Sequence, residues 1–197
     1  MKFPNKKYQI IYADPPWRYK DKGAPYGTKD RYDVLNIENI KNIPVQKIAD
    51  IDCILFLWAV YPLIQEALDV IQSWGFIYKT LGFQWVKMND KKKTPFLGVG
   101  NWTRSNSEPC LIGVKGKPKR KKMGVPQVVM TPIGKHSEKP PIVKQRIVRL
   151  MGNLPRIELF YRYKPGDIFV NRGWDFWGDE AEKPKEVKPP KQGLLVQ

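Results

Sequence analysis

The sequence predicts an α/β fold, a three-layer sandwich in which helices cover both faces of a mostly parallel sheet. Two observations carry this prediction. Short apolar runs typical of strands alternate along the chain with segments of helical periodicity. Residues 53–58 are apolar at every position, as a strand covered on both faces should be. No GxGxxG pattern follows any predicted strand, which disfavours an ordinary dinucleotide site.

The elements are predicted in the following order. Strands are expected at 8–13, 52–58, 76–88, 110–114 and 156–161, with a further short strand at 167–170. Helical segments are expected at 36–49, interrupted by Pro44, at 63–74 before the C-cap candidate Gly75, and at 140–151. The last helix is basic and amphipathic, with Lys144 away from its apolar side. Loops are expected at 89–107, 115–122 and 123–138.

The chain has 197 residues and a formal net charge of +16. We expect a single domain at 1–180, followed by a Lys- and Pro-rich tail at 181–197 that is disordered. The positive charge favours a polyanion as the partner and argues against small cationic substrates.

Cysteine and histidine usage argues against a metal centre. Cys53 and Cys110 lie inside apolar runs, so we expect buried thiols in a reducing compartment and no disulfide. With one histidine, His136, and no CxxC, a metal site is not expected. The N-terminus lacks the apolar region of a signal peptide, and no apolar run is long enough to span a bilayer. A cytoplasmic protein without a membrane partner is therefore expected.

The first strand stops at Asp14-Pro15-Pro16-Trp17. Because the two prolines cannot continue a central ladder, the chain must leave the sheet there. A carboxylate, rigid carbonyls and an aromatic face then lie at the carboxyl end of a strand, where open α/β sheets bind ligands. This arrangement suits a planar molecule that bears an amino group. The alternative is a Pro-Pro turn whose Trp17 packs on the core.

Longer stretches carry a resemblance to a known family. The chain resembles the MT-A70 family of S-adenosylmethionine-dependent adenine N6-methyltransferases over roughly residues 8–180. The matching stretches are 14–17, 25–28, 55–58, 85–87, 100–116, 136–140, 158–160 and 173–180. The tetrapeptide precedes the cofactor-binding stretch, as in the permuted amino-methyltransferases to which this family belongs. The resemblance implies a Rossmann-like methyltransferase fold, S-adenosylmethionine as cofactor and no metal.

The resemblance also implies a set of site residues. The catalytic residues would be Asp14, Pro15, Pro16 and Trp17, and the cofactor-binding residues would be Asp14, Lys139, Glu158, Phe160, Arg162, Asp179 and Glu180. Asp179 stands where family members commonly have Asn, and the stretch between Phe160 and Gly173 is longer than usual. The first departure concerns the residues that would contact the ribose, and the second concerns the cofactor role of Arg162.

The chemistry of the tetrapeptide agrees with this implication. The lone pair of an adenine N6 amine is delocalised into the ring, so the amine is a poor nucleophile. Asp14 and the Pro15 carbonyl could each accept an N6 hydrogen bond, which favours a pyramidal nitrogen, and Trp17 would hold the base by stacking. Whether Asp14 removes the proton or only orients the amine is left open.

Substrate contacts are assigned to a second set of residues. They are Tyr26, Arg104, Glu108, Ser137, Lys117, Lys119, Arg120, Lys121 and Lys122. The basic run at 115–122 holds six positive charges in eight residues and is either a solvated loop or a phosphate contact. Trp58 and Trp102 are interpreted as packing residues, although Trp102 lies beside Arg104 and could stack on a base. We interpret His136 as structural.

The expected function is methylation of adenine N6 in nucleic acid, with DNA preferred and RNA as the alternative. DNA is preferred because short stand-alone proteins resembling this one are typical of bacteria and phages. A non-catalytic nucleic-acid-binding partner is disfavoured by the intact tetrapeptide, and methylation of cytosine N4 more often uses Ser at its first position. The sequence leaves room for a homodimer or heterodimer.

Overall fold

The computed structural model describes residues 3–17, 36–100, 102–134, 138–162 and 172–178. In these ranges the strands are β1 Tyr8–Ala13, β2 Ala49–Trp58, β3 Ile77–Met88, β4 Ser107–Lys115, β5 Val128–Pro132, β6 Arg156–Leu159 and β7 Trp174–Trp177. The α-helices are α1 Ile37–Lys41, α2 Ile64–Ser73 and α3 Pro141–Met151, and 3-10 turns occur at Val45–Lys47 and Tyr61–Leu63.

The strands form a sheet in the order β5-β3-β4-β2-β1-β6-β7. The pairs β1–β2, β1–β6, β6–β7 and β3–β5 are parallel, whereas β4 is antiparallel to both β2 and β3. The carboxyl ends of the other strands and the amino end of β4 therefore lie at one edge, which we call the carboxyl edge. The opposite edge is the amino edge.

Alternating residues of β1 show how the layers are built. Ile11 and Ala13 belong to a buried cluster that includes residues of α1 and α2. Ile10 and Tyr12 belong to a second cluster that includes residues of α3. Helices thus cover both faces of the sheet, and the predicted three-layer α/β/α fold with a mostly parallel sheet is confirmed. Cys53 and Cys110 are buried free thiols.

Two short strands were missed by the sequence patterns. The loop predicted at 123–138 is wrong, because β5 lies within it and pairs with β3. Prolines on both sides of its apolar core hid this strand, although Pro is tolerated at strand ends and sheet edges. Strand β7 occupies part of the aromatic stretch at 173–178. The predicted strand at 167–170 and the predicted tail lie outside the described residues.

The predicted helical segment at 36–49 is shorter than expected. It contains α1 and one 3-10 turn, and β2 already begins at Ala49. The prediction that Lys144 lies on the polar side of α3 is also wrong, because Lys144 is buried against the sheet. Its position is explained by an ion-pair partner on β6, described below. Within the described ranges, no helix has the length and apolar character needed to cross a membrane.

Candidate active site

Asp14 follows directly on β1 at the carboxyl edge. After it the chain turns tightly, since the Trp17 backbone N–H donates to the Pro15 carbonyl at 2.8 Å. This bond spans two residues and makes Pro16 the centre of a γ-turn. One acceptor position of the Pro15 carbonyl is therefore used within the turn, and a second lone pair remains.

The Trp17 side chain joins this turn to the end of β2. Its indole Nε1–H donates to the Trp58 carbonyl at 2.9 Å, and the partly buried ring packs on the cluster that faces α2. The predicted alternative, in which Trp17 packs on the core, is therefore correct for part of this side chain. A stacking role for the rest of the ring stays a prediction.

Three charged side chains from distant parts of the sequence meet at the carboxyl edge. Lys139 Nζ lies 2.9 Å from Asp14 Oδ2 and 3.3 Å from Glu108 Oε2. Lys139 is placed there because it comes just before α3, which has Pro140 as its N-cap residue and Pro141 as its first residue. Glu108 is near the start of β4, and the antiparallel direction of β4 brings that start to this edge.

Lys87, near the end of β3, completes the charged cluster. Its Nζ lies 2.5 Å from Glu108 Oε1, and Trp85 is the register partner of Glu108. Lys87 lies in the matching stretch at 85–87 but is not among the predicted site residues. Only the pairing of β3 with β4 shows the contact. We call Asp14, Glu108, Lys87 and Lys139 the charged cluster.

The two carboxylates of the charged cluster titrate differently. Burial raises the pKa of Asp14 above its usual value, although the nearby Lys139 ammonium opposes this shift. Burial acts on Glu108 as well, but Lys139 and Lys87 together hold the pKa of Glu108 below its usual value. The two carboxylates raise the pKa of Lys139 despite its burial. Asp14 is therefore the carboxylate that takes up a proton more readily, and Glu108 is a fixed anion.

Buried aromatic side chains form the floor beneath the charged cluster. The Trp58 indole Nε1–H donates to the Tyr12 hydroxyl at 2.7 Å, and both side chains are fully buried. Lys139 Nζ lies 5.5 Å from the centroid of the Trp58 ring, within cation–π range. The packing interpretation of Trp58 is confirmed. The packing interpretation of Trp102 is wrong, since 99% of that residue is exposed.

Glu158 lies beside the charged cluster on the face covered by α3. It is the register partner of Tyr12, and Lys144 Nζ lies 2.6 Å from its Oε2. The Lys144 ammonium also lies 5.6 Å from the Tyr161 ring centroid and 5.7 Å from that of Phe176. Glu158, predicted to bind cofactor, is thus also part of an ion pair that ties α3 to the sheet.

The chain after β6 adopts an uncommon backbone conformation. Phe160 has a φ of 61°, which costs a non-glycine residue about 1–3 kcal/mol. Its ring packs on Trp74 and Trp177, with centroid distances of 6.4 and 6.0 Å. Arg162 is close enough for its charge to lower the pKa of Asp14. The predicted cofactor residues Phe160 and Arg162 therefore lie next to the carboxyl edge.

Comparison with known proteins decides the family. A sequence model of the family described as MT-A70 matches residues 8–180. The chain belongs to the MT-A70 family. Family membership, predicted from the sequence, makes the chain an adenine N6-methyltransferase, and the mixed sheet described above is consistent with the Rossmann-like fold of such enzymes.

This MT-A70 protein matches different shares of the length of its relatives. The type II methyltransferase M.MunI of a Mycoplasma species is 35% identical over 98% of this chain and 85% of the relative. Human N(6)-adenosine-methyltransferase catalytic subunit METTL3 is 30% identical over 89% of this chain. A Drosophila melanogaster MT-A70-like protein is 29% identical over 93% of it. This chain spans only 28% of each of these two animal proteins.

The predicted basic substrate contacts are not at the charged cluster of this MT-A70 chain. Glu108 and Lys115 are seven residues apart on β4, so about 24 Å separates them. The Lys117 backbone N–H donates to Asp52 at 2.6 Å, and that of Lys121 donates to the Leu150 carbonyl at 2.7 Å. The stretch that holds Lys117, Lys119, Arg120, Lys121 and Lys122 therefore lies at the amino edge.

The remaining predicted site residues lie at the carboxyl edge or outside the described ranges. Arg104 is exposed in the connection between β3 and β4, at the carboxyl edge. Tyr26, His136, Ser137, Asp179 and Glu180 lie outside the described residues. In the part of the chain that the structure describes, no three His, Cys, Asp or Glu side chains are grouped as metal ligands.

Proposed function

We propose that this chain transfers a methyl group from S-adenosylmethionine to the N6 amine of an adenine in DNA. The observation that carries the proposal is the position of the Asp14 carboxylate, at the carboxyl end of β1 and 2.9 Å from Lys139. Because a paired base hides its N6 amine, the target adenine must be unpaired or flipped out of the duplex.

Asp14 and Pro15 act directly on the amine. One N6 hydrogen bonds to the Asp14 carboxylate and the other to the free lone pair of the Pro15 carbonyl. Two acceptors on the same nitrogen favour a pyramidal geometry and release its lone pair from the ring. As methylation proceeds, positive charge develops on this nitrogen, and the adjacent Asp14 carboxylate stabilises it. The raised pKa of Asp14 suits this residue for receiving the proton that the amine loses.

The residues at the carboxyl edge fit S-adenosylmethionine chemically. This cofactor carries a carboxylate, an ammonium group and ribose hydroxyls, and at this edge the chain offers both the Lys139 ammonium and the Asp14 carboxylate. Phe160 and Arg162 follow β6 next to this edge, and we propose that Glu158, Asp179 and Glu180 complete the site. When bound, the cofactor supplies an electrophilic methyl group on sulfur.

Lys139 and Glu108 organise the site around this chemistry. Lys139 balances the charge of two carboxylates, which keeps Asp14 available as an acceptor despite its partial burial. Glu108 is held by Lys87 and stays ionised, so it can accept a hydrogen bond from the target nucleoside. The Trp17 ring, anchored by its indole N–H, would stack on the base.

Similarity along nearly the whole chain favours DNA over RNA. The relative matched over 98% of this chain and 85% of its own length is named a type II methyltransferase. The relatives named N(6)-adenosine-methyltransferases share only about a quarter of their length with this chain. RNA is the second candidate because of these latter names. The intact tetrapeptide at 14–17 argues against a non-catalytic partner subunit.

A parallel substrate assay tests this proposal. The purified chain is given S-adenosylmethionine with single-stranded DNA, duplex DNA or RNA of the same base sequence, and the digested nucleosides are identified by mass. We expect N6-methyldeoxyadenosine from at least one DNA substrate, at a higher rate than N6-methyladenosine from RNA. If RNA is methylated faster than DNA, RNA becomes the assigned substrate. Formation of N4-methylcytosine would overturn the assignment of adenine as the target base.

A further inference from the structure

The connection between β3 and β4 is built as an arm that starts at the charged cluster. The Lys87 backbone N–H donates to the Asn106 carbonyl, and the Phe96 N–H donates to the Lys87 carbonyl, both at 2.8 Å. The same Lys87 uses its side chain to hold Glu108. We call the described residues 89–100 and 102–106 the β3–β4 arm. Because Lys87 bonds to the arm through its backbone and to Glu108 through its side chain, the base of the arm is fixed at the charged cluster.

The outer part of the arm is a narrow loop whose shape depends on two glycines. The Gly98 N–H donates to the Ser105 carbonyl at 3.0 Å and closes the loop. A Cβ at Gly98 would lie 2.1 Å from the Ser105 carbonyl oxygen, and one at Gly100 would lie 2.0 Å from that of Thr103. No other residue fits at such an approach, so the sequence builds a defined loop here.

This loop exposes apolar side chains to water. Trp102 is 99% exposed, Val99 86% and Leu97 68%. Burying an aromatic ring of this size is strongly favourable, so a fully exposed tryptophan on a shaped loop indicates a binding partner. Trp102 is six residues from Glu108, and an extended chain of that length spans at most about 20 Å. The Trp102 backbone therefore lies within about 20 Å of Glu108.

The charges of the arm indicate which partner this is. Lys91, Lys92, Lys93 and Arg104 are exposed, and Lys93 pairs with Asp90 at 3.1 Å. Four cations against one carboxylate make the arm strongly positive. An aromatic face flanked by cations is the combination that binds unpaired nucleotides, because bases stack on the ring and phosphates contact the cations.

We propose that Trp102 stacks on a nucleobase next to the target adenine, while Lys91, Lys92 and Arg104 contact the phosphates beside it. This inference rests on the proposed function, because it requires a nucleic-acid substrate. Removing a base from its stack leaves the neighbouring base with an uncovered face. Trp102 covers that face and holds the strand while the adenine lies at Asp14. The competing binding partner for the exposed Trp102 ring is a second copy of this chain.

Binding of a labelled single-stranded DNA with one adenine tests the assignment. We compare Trp102→Ala with Trp102→Phe and with Tyr78→Ala, a control that removes another exposed aromatic ring near the start of β3, at the amino edge. Trp102→Ala should bind about tenfold more weakly in fluorescence anisotropy, because one stacked base is lost. Trp102→Phe should recover most of the affinity, and Tyr78→Ala should bind like the unmodified chain.

Two results would overturn the inference. One is equal DNA affinity of Trp102→Ala and the unmodified chain. The other is a loss of affinity that accompanies a change from dimer to monomer in sedimentation, which would make the ring a contact between copies. The proposed function can fail without the stacking inference. If the unmodified chain binds the oligonucleotide but methylates no nucleic acid, the proposed function is wrong, and the binding assay still tests the stacking contact. If that chain methylates DNA and Trp102→Ala binds it equally well, only the stacking inference fails.

Discussion

The Nζ atom of Lys139 lies 2.9 Å from Oδ2 of Asp14, although 125 positions separate the two residues along the chain. They meet because Asp14 directly follows β1 and Lys139 precedes α3, and both positions lie at the carboxyl edge of the sheet. Burial raises the pKa of Asp14, and the Lys139 ammonium limits that rise.

Replacing Lys139 with Met should therefore move the pH profile of methyl transfer. Without the ammonium the pKa of Asp14 rises further, so a higher pH is needed to ionise Asp14. We expect the acid limb of kcat/KM to shift to higher pH than in the unmodified chain. The control is Lys41→Met, which removes a lysine that pairs with Glu38 at 3.0 Å on α1. An acid limb that stays in place would show that Lys139 does not set the ionisation of Asp14.

The Asp14→Asn variant should be at least as stable as the unmodified chain at pH 7. Since the pKa of Asp14 is raised in the folded chain, the ionised form favours unfolding at pH values above that raised pKa. A neutral amide removes this cost, and the benefit should shrink as the pH falls and Asp14 becomes protonated. Urea unfolding at several pH values measures the difference. A clear loss of stability at pH 7 would contradict the account of the charged cluster.

The ion pair between Lys144 and Glu158 should be important for stability. Their side chains are only 10% and 14% exposed, and Lys144→Met leaves the Glu158 carboxylate without its lysine. We expect this variant to lose about 3–5 kcal/mol of unfolding free energy. Glu158→Gln and the double variant complete a double-mutant cycle in urea, and the double variant should recover part of the loss. Additive losses would show that the two side chains are not energetically coupled.

The basic stretch at the amino edge should contribute only on long DNA. About 24 Å separates Glu108 from Lys115, which corresponds to about seven base pairs of duplex. Changing Lys119, Arg120, Lys121 and Lys122 to Gln should leave binding of duplexes that end within about five base pairs of the target adenine unchanged. On duplexes of about 25 base pairs, affinity and its salt dependence should both fall. An equal loss on short duplexes would place these side chains nearer to the target base.

Several features of the fold and the site followed from sequence patterns. The apolar run of β2 and the prolines after β1 are local signals, and they were enough to place Asp14 at the carboxyl end of a parallel strand. Helical periodicity located α2 and α3 to within a residue or two. These signals are reliable because each depends on neighbouring residues.

Other features depend on pairing between distant strands. The contact of Lys87 with Glu108 exists because β4 runs antiparallel to β3, and no local sequence pattern predicts the direction of β4. The same reversal carries the basic stretch to the amino edge, away from the charged cluster. Lys144 looked like a surface lysine because its partner, Glu158, lies on another element. The exposure of Trp102 likewise depends on the closed shape of its loop.

The most direct test of the proposed function is methyl transfer by the Asp14→Asn variant. Asparagine keeps the size of the side chain and a hydrogen-bond acceptor, but it carries no negative charge to stabilise the developing cation and cannot take up the proton. With S-adenosylmethionine and an adenine-containing DNA, we expect the unmodified chain to form N6-methyldeoxyadenosine. The variant should be slower by at least about 100-fold, a typical loss for a general base or a charge-stabilising group. Equal rates for a folded variant and the unmodified chain would contradict the central role of Asp14.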